Sequence, residues 1–230
     1  MNITQNPSPN FTRGRQGWTP DIIICHITEG AFAGAVSWIT NPASQVSYHF
    51  VVSRNGQIAQ AVDIQNTAWA NGTTTGTDSR ANQHSPLEAV RVRRANANAY
   101  TISIGFEGRH AETRGALTEA QLQAGAWLIS HIREEVARLY GTDMPLTRQN
   151  IVGHSCITPR WKPNCPGQNF PFDEIIRLAQ NVQNGNTPSR WAKEAWEWAT
   201  NRGITDGTNP HGTPTREQMV QLLFNFNKAT

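Results

Sequence analysis

The chain has 230 residues, and its 20 Lys and Arg against 17 Asp and Glu leave a formal net charge of +3 at pH 7. This length is enough for one well-buried domain of about 150 to 180 residues with a small appendage. The mild basicity suits an anionic polymer such as a cell wall and does not indicate nucleic-acid binding. No stretch is long and apolar enough to predict a membrane span, and three cysteines are too few for a disulfide framework.

The first elements are a polar lead, a strand and a helix. Residues 1–20 are punctuated by Pro and Gly and lack a charged start followed by an apolar core. We therefore predict a surface segment anchored by Trp18, with no signal peptide and with synthesis in the cytoplasm. The β-branched run Asp21–Ile27 predicts a buried strand ending beside His26. Gly30–Thr40 has apolar residues at helical spacing, which predicts a short helix.

A hairpin is predicted next, because Val46–Ser53 and Gln57–Val62 are apolar runs that flank an Asn-Gly turn. Tyr48 and His49 then point to opposite faces of the first strand, so that one can face a site while the other packs. We interpret His49 as a core residue.

The following stretch, Asp63–Ala99, has no regular pattern and predicts a long loop, which in a compact domain is usually functional or mobile. Trp69 and Asn71 in this loop either line a substrate groove or pack locally.

Tyr100–Glu107 alternates like a strand and places Glu107 at its end. A carboxylate that closes an apolar strand needs a partner, because a buried charge is costly. Two partners remain open: a metal-bound water, or a salt bridge with Arg109 or Arg114.

Thr118–Gln121 fits a capping box and opens a predicted helix that runs to Tyr140. Phe172–Val182 reads as the closing amphipathic helix of a domain that spans residues 1–182.

A polar linker is predicted at residues 183–190, followed by a small helical appendage at residues 191–230. In the appendage, Trp191–Arg202 has helical periodicity, and a second capping box at Thr215–Gln218 opens the last helix. Two helices of this length cannot bury their tryptophans alone, so we expect them to dock on another surface.

The stretch Asn150–Gly167 (NIVGHSCITPRWKPNCPG) holds His154 and Cys165 on one Pro-rich loop. Imidazole and thiolate suit Zn²⁺, and His26 offers a third ligand from the end of the first strand. Three protein ligands with one open position are typical of a catalytic zinc, although each histidine taken singly is also consistent with a core residue. Cys25 and Cys156, beside two of these ligands, are interpreted as reduced packing residues rather than as a disulfide pair.

In combination, the motifs ICHIT, SYHFVVSRNG, IGFE, GHS and CPG resemble those of the zinc-dependent N-acetylmuramoyl-L-alanine amidases of the amidase-2 type. This family includes amidase-type phage lysozymes and shares its fold with the peptidoglycan recognition proteins. The resemblance covers about residues 21–179. It implies an α/β fold with a mixed central sheet flanked by helices, and it implies hydrolysis of bacterial peptidoglycan.

The resemblance also implies roles for individual residues. His26, His154 and Cys165 match the zinc ligands of the family. Tyr48 matches a tyrosine that positions the substrate or the water, and Glu107 matches a carboxylate beside that water.

Lys162 matches the family lysine that stabilises the oxyanion. The family lysine commonly lies two residues before the third ligand, whereas Lys162 lies three residues before Cys165. Arg160 is therefore kept as the substitute for this role.

The tail from Trp191 to Phe226 resembles a single S-layer-homology repeat. In that family, such repeats bind cell-wall polymers, usually in sets of three. This tail is therefore expected to be either a secondary wall anchor or a packing or oligomerisation device.

The function expected from these resemblances is that of an endolysin cleaving the bond between N-acetylmuramic acid and L-alanine. Four alternatives remain at this level: a non-catalytic peptidoglycan-binding module, a cysteine hydrolase using Cys165 or Cys25, a cytoplasmic cell-wall recycling amidase, and a metal-independent globular protein whose motif matches are coincidental.

Overall fold

The computed structural model describes residues 1–72, 82–183, 188, 192–207 and 216–229. The chain divides into two compact units, Met1–Ile176 and Arg177–Thr230. The domain boundary after residue 182 stays a prediction, because only residues 183 and 188 of the expected linker are described.

A six-stranded mixed sheet forms the centre of the first unit. Its spatial order is β1 (Ile3–Gln5), β5 (Ile58–Gln60), β4 (Phe50–Val52), β7 (Thr101–Phe106), β3 (Ile22–Ile27) and β8 (Ile151–Gly153). Strands β4 and β5 pair antiparallel, as the two arms of the predicted hairpin, and the other four pairs are parallel. A two-stranded antiparallel ribbon joins β2 (Phe11–Thr12) to β6 (Thr67–Ala68).

Eight α-helices surround or follow the sheet in the described part of the chain. They are α1 (Phe32–Thr40), α2 (Glu88–Arg93), α3 (Ala97–Tyr100), α4 (His110–Thr113), α5 (Glu119–Tyr140), α6 (Phe172–Gln183), α7 (Lys193–Asn201) and α8 (Arg216–Ala229). The α/β class and the flanked mixed sheet predicted from the sequence are confirmed by this arrangement.

Every residue of β3 and β7 is buried, because helices cover both faces of the sheet. On one face, Ile39 of α1 packs with Val51 of β4. On the other face, α5 crosses β7 so closely that a Cβ at Gly125 would lie 2.7 Å from the ring of Phe106. Helix α5 begins with the predicted capping box, in which Thr118 and Gln121 exchange hydrogen bonds with each other's main chain.

The prediction that residues 1–20 wrap the surface holds for most of them, which are exposed or half-buried, but it missed two features. Strand β1 adds an edge to the sheet by pairing with β5, and Arg15 is 5% exposed. A three-residue strand is too short to give a periodic signal, and one buried arginine gives none. The expected anchor is confirmed, because the Trp18 ring lies 5.5 Å from the ring of Tyr100.

The prediction of an irregular loop over Asp63–Ala99 is also wrong in part. This stretch contains β6, α2 and most of α3. Helices of six and four residues fall below the window in which helical periodicity is visible.

The second unit contains α7 and α8. The second capping box and Trp191 lie wholly or partly outside the described residues. Several apolar side chains of α7 and α8 are exposed: Trp198, Met219, Val220, Leu223, Phe224 and Phe226. Among the described residues, no helix has both the length and the apolar character needed to cross a membrane.

Candidate metal and substrate site

The three predicted ligands, His26, His154 and Cys165, meet near the carboxyl ends of β3 and β8. Nδ1 of His26 lies 3.1 Å from Nδ1 of His154, and Sγ of Cys165 lies 4.0 Å from Nδ1 of His26. One ligand atom from each residue falls within 4.8 Å of the others. The convergence that the sequence predicted is therefore present in the structure.

The fold explains why these side chains converge. Strands β3 and β8 are parallel neighbours with Cys25 opposite Gly153, so the next residue along each chain segment is a histidine at the same edge: His26 near the end of β3 and His154 directly after β8. The loop then returns, because Ser155 donates its main-chain N–H to the Cys165 carbonyl at 2.9 Å. Gly153 is needed for this return, since a Cβ there would lie 2.6 Å from the ring of Pro166.

The donor set fits a zinc ion. In proteins, zinc binds nitrogen at 2.0–2.1 Å and sulfur at about 2.3 Å. In a tetrahedral arrangement, two such nitrogen ligands lie about 3.3 Å apart, and a nitrogen and a sulfur ligand lie about 3.6 Å apart. Burial lowers the pKa of His26 well below its usual value and lowers the pKa of His154 to about 4. Both imidazoles are therefore neutral at pH 7, which is the form that binds a metal.

Burial also raises the pKa of the Cys165 thiol to about 11 and that of Cys25 further. At neutral pH neither residue is a thiolate in the metal-free protein, so neither has the form of an activated nucleophile. All three cysteines are free, which agrees with the interpretation of Cys25 and Cys156 as reduced residues that form no disulfide.

A cavity of about 670 Å³ opens on the ligand cluster, within the range of small-molecule sites. The ring of Tyr48 lines it 4.9 Å from the ring of His26. Tyr48 lies against Gly105, where a Cβ would come within 2.9 Å of its ring. Burial raises the pKa of Tyr48, so its phenol stays protonated and available as a donor.

His49, the neighbour of Tyr48, is a buried core residue, as interpreted from the sequence. Its Nδ1 accepts a hydrogen bond from the Ser103 main chain at 3.0 Å, and its Nε2 lies 3.1 Å from the Asn66 carbonyl.

Lys162 lines the cavity, although it is one residue further from the third ligand than the family spacing. Arg160, the substitute considered from the sequence, is not among the residues that line the cavity.

The structure places Glu107 at the hairpin turn. Its carboxylate accepts a hydrogen bond from the main chain of Arg54 at 2.6 Å, and it is not among the residues that line the cavity. In the described chain, neither Arg109 nor Arg114 pairs with it, and Arg109 approaches Glu112 instead.

Among the cavity residues that were missed from the sequence are one carboxylate and two tryptophans. Glu29 lines the cavity with a φ of 56° and accepts hydrogen bonds from the main chain of His110. Trp38 and Trp161 also line it, with 57% and 65% of their surfaces exposed. Nothing in local sequence distinguishes these three residues, because only the folded chain brings them to the cavity.

Trp69 lines the cavity, as one of the two predictions for it required. Asn71 has a different position: it is 1% exposed, and its main-chain oxygen accepts a hydrogen bond from Nε2 of His154 at 3.3 Å.

Comparison with known proteins identifies the family. Residues 16–168 match the family model described as N-acetylmuramoyl-L-alanine amidase. The chain belongs to the N-acetylmuramoyl-L-alanine amidase family. A relative, N-acetylmuramoyl-L-alanine amidase A of Achromobacter lyticus, is 30% identical in an alignment 192 residues long that covers 79% of this chain and 94% of the relative.

Solved structures resemble this family member in fold. The selenomethionine derivative of AmpD has a TM-score of 0.51 at 22% identity, covering 76% of this chain and 93% of AmpD. A mutant form of PlyL has a TM-score of 0.54 at 16% identity, covering 78% of this chain and 99% of PlyL. The fold implied by the sequence resemblance is therefore confirmed.

Proposed function

We propose that this member of the amidase family is a zinc-dependent hydrolase of the bond between the lactyl group of N-acetylmuramic acid and L-alanine in bacterial peptidoglycan. The observation that supports it most is the cluster of His26, His154 and Cys165 at the base of a cavity lined by Tyr48 and Lys162. A zinc ion bound there supplies Lewis-acid polarisation and lowers the pKa of a water molecule from about 15.7 to roughly 7.

The residues of the chain have distinct tasks in this proposal. The Lys162 ammonium stabilises the negative charge that develops on the carbonyl oxygen of the substrate. The protonated Tyr48 hydroxyl orients the reacting amide as a hydrogen-bond donor. Glu107 assists the attacking water as a general base, which requires its carboxylate to turn from the Arg54 amide toward the cavity.

Two rival functions have less support. A cysteine hydrolase needs an activated thiolate, and burial keeps the thiols of Cys165 and Cys25 protonated. A non-catalytic binding module does not need three clustered ligands, and this chain has all three.

The test is end-group analysis of purified peptidoglycan after incubation with the zinc-loaded protein. We expect new L-alanine amino termini without new reducing sugar ends, loss of the reaction on chelation, and recovery on return of Zn²⁺. Cys165→Ser should lose zinc and activity together, whereas Cys156→Ser, the matched control outside the cluster, should keep both. Reaction that persists without zinc would support the cysteine hydrolase, and binding without any new ends would support the recognition module.

The role of Glu107 has its own test. Glu107→Gln should keep zinc and lose turnover, because the amide preserves the shape of the side chain but cannot accept the proton. Near-full turnover in this variant would exclude Glu107 as the base. A parallel comparison of Lys162→Met and Arg160→Met should show the larger loss of kcat for Lys162→Met.

We further propose an endolysin role, in which the second unit anchors the protein to a wall polymer. Its exposed apolar side chains on α7 and α8 support a surface that contacts another molecule. An endolysin should digest intact sacculi efficiently, whereas a recycling amidase should prefer soluble muropeptide fragments. The ratio of the two rates decides between the roles.

A further inference from the structure

His154 has a hydrogen bond that its fellow ligand His26 lacks. Nε2 of His154 donates to the Asn71 main-chain oxygen at 3.3 Å, whereas Nε2 of His26 has no hydrogen-bond partner in the described chain. In a neutral imidazole, the donating nitrogen carries the proton and the other nitrogen carries the lone pair. The Asn71 carbonyl therefore selects the tautomer of His154 whose Nδ1 lone pair faces the ligand cluster.

The Asn71 peptide is held in turn by Asn98. Oδ1 of Asn98 accepts hydrogen bonds from the main-chain N–H groups of Asn71 at 2.9 Å and Ala70 at 3.3 Å. The Asn71 side chain donates to Oγ1 of Thr101 at 3.1 Å. Asn71 and Asn98 are 1% and 2% exposed, so water does not compete for these bonds.

Arg15 fixes the base of this network. Its Nη1 donates to the main-chain oxygens of Asn98 at 3.2 Å and Thr101 at 2.8 Å. These residues lie at the junction of α3 and β7. A continuous series of hydrogen bonds therefore runs from the amino-terminal segment through Asn98 and Asn71 to the metal ligand His154.

We propose that Asn98 is a positioning residue for the metal site, acting on His154 through the Asn71 carbonyl. The inference rests on the zinc site of the proposed function and not on the bond that the enzyme cleaves. Partners of metal-bound histidines orient the ring and fix its tautomer, and their loss typically weakens metal affinity by about 10- to 100-fold.

The two ends of the Asn98 side chain give a matched pair of variants. Oδ1 makes the two hydrogen bonds, whereas Nδ2 has no partner in the described chain. Asn98→Asp keeps the acceptor, and Asn98→Ala removes it. Asn10→Ala is the control, because Asn10 is 3% exposed and its side chain donates, within the described residues, to acceptors on Ile39, Asn41, Ser44 and Val46, none of which is a ligand or a hydrogen-bond partner of one.

The first measurement is zinc affinity by competition with a chromophoric chelator. Asn98→Ala should bind zinc about 10- to 100-fold more weakly than the parent chain, Asn98→Asp should bind it as tightly, and Asn10→Ala should be unchanged. Parental affinity in Asn98→Ala overturns the inference. So does an equal loss in Asn10→Ala, because the effect would then follow any buried polar deletion.

The second measurement reads the tautomer directly in the metal-free protein, from two-bond ¹H–¹⁵N correlations of the histidine rings. His154 should be protonated at Nε2 in the parent and in Asn98→Asp, and should populate both tautomers in Asn98→Ala. A parent protonated at Nδ1 overturns the inference. If Asn98→Ala does not fold, Asn98→Leu, which also removes the acceptor but keeps most of the side-chain volume, takes its place and should weaken zinc binding; parental affinity in that variant overturns the inference.

These outcomes separate the inference from the proposed function. A parent chain that binds zinc but releases no L-alanine termini overturns the amidase specificity and leaves the positioning role intact. A parent chain that binds no zinc overturns both.

Discussion

Replacing Arg15 by Met tests whether a buried arginine of the amino-terminal segment stabilises the catalytic unit. The guanidinium donates four hydrogen bonds to three main-chain carbonyls. Two go to Ile64 at 2.8 and 2.6 Å, one to Asn98 at 3.2 Å and one to Thr101 at 2.8 Å. Methionine keeps most of the apolar stem and removes all four donors.

The expected change in the free energy of unfolding of Arg15→Met is the sum of two opposing contributions. A buried carbonyl that loses its donor costs about 1–3 kcal/mol, so three carbonyls cost about 3–9 kcal/mol. Burial lowers the pKa of Arg15 from 12.5 to about 10, and removing that buried charge returns about 3 kcal/mol at 1.36 kcal/mol for each pH unit. The expected net loss is therefore about 3 kcal/mol, or a melting temperature lower by about 6–12 °C.

The assay is urea unfolding at pH 7 followed by circular dichroism, with thermal unfolding as a second probe. Arg138→Met is the control, because Arg138 forms an ion pair with Glu135 on the exposed surface of α5, where solvent screens the attraction and little stability depends on it. A loss from Arg15→Met no larger than that of the control would refute the reasoning. Arg15→Met should also weaken zinc binding, since the same guanidinium holds Asn98.

Two further predictions concern the adjacent residues Tyr48 and His49. Gly105→Ala places a Cβ 2.9 Å from the ring of Tyr48, which should cost about 1–3 kcal/mol and reduce kcat on peptidoglycan more than it changes KM; an unaltered kcat would argue against a role for Tyr48. Burial, with the Arg15 charge alongside, lowers the pKa of His49 well below its usual value. Below about pH 6.5, His49 therefore takes up a proton in the unfolded chain but not in the folded chain. As the pH decreases, this difference lowers the free energy of unfolding by up to about 1.4 kcal/mol for each pH unit. In urea unfolding without zinc, His49→Gln should lose less free energy of unfolding between pH 6.5 and 5.5 than the parent chain does. An identical pH dependence in the two proteins would contradict the assignment of a lowered pKa to His49.

The elements that could be predicted are those whose signal is local and repeated. Asp21–Ile27 and Tyr100–Glu107 give the central strands β3 and β7, because strands covered on both faces need apolar residues at nearly every position. The capping box at Thr118 marks the start of α5 to the residue, since one turn of helix contains both partners. The Asn-Gly turn likewise specifies the β4–β5 hairpin.

The ligand set was predictable for a different reason. His26, His154 and Cys165 carry chemistry that few other residue types share, and each stands at the end of a recognisable strand or loop. Their grouping was inferred from their donor chemistry and matches the resemblance to a family. The parallel pairing of β3 with β8 is what brings together side chains that are 128 and 139 positions apart.

The sequence by itself determined the central strands, the hairpin, the long helix and the donor chemistry of the candidate metal site. Only the tertiary structure decided the burial of Arg15, the place of Glu107 at the hairpin turn, the arrival of Glu29 and two tryptophans at the cavity, and the role of Asn98 behind His154. The physical reason is that periodicity and capping depend on neighbours within a few residues. Hydrogen bonds to main-chain carbonyls and the walls of a cavity depend instead on which distant segments meet. Every residue has a main-chain carbonyl, so the pattern of side chains does not indicate which carbonyl accepts a hydrogen bond.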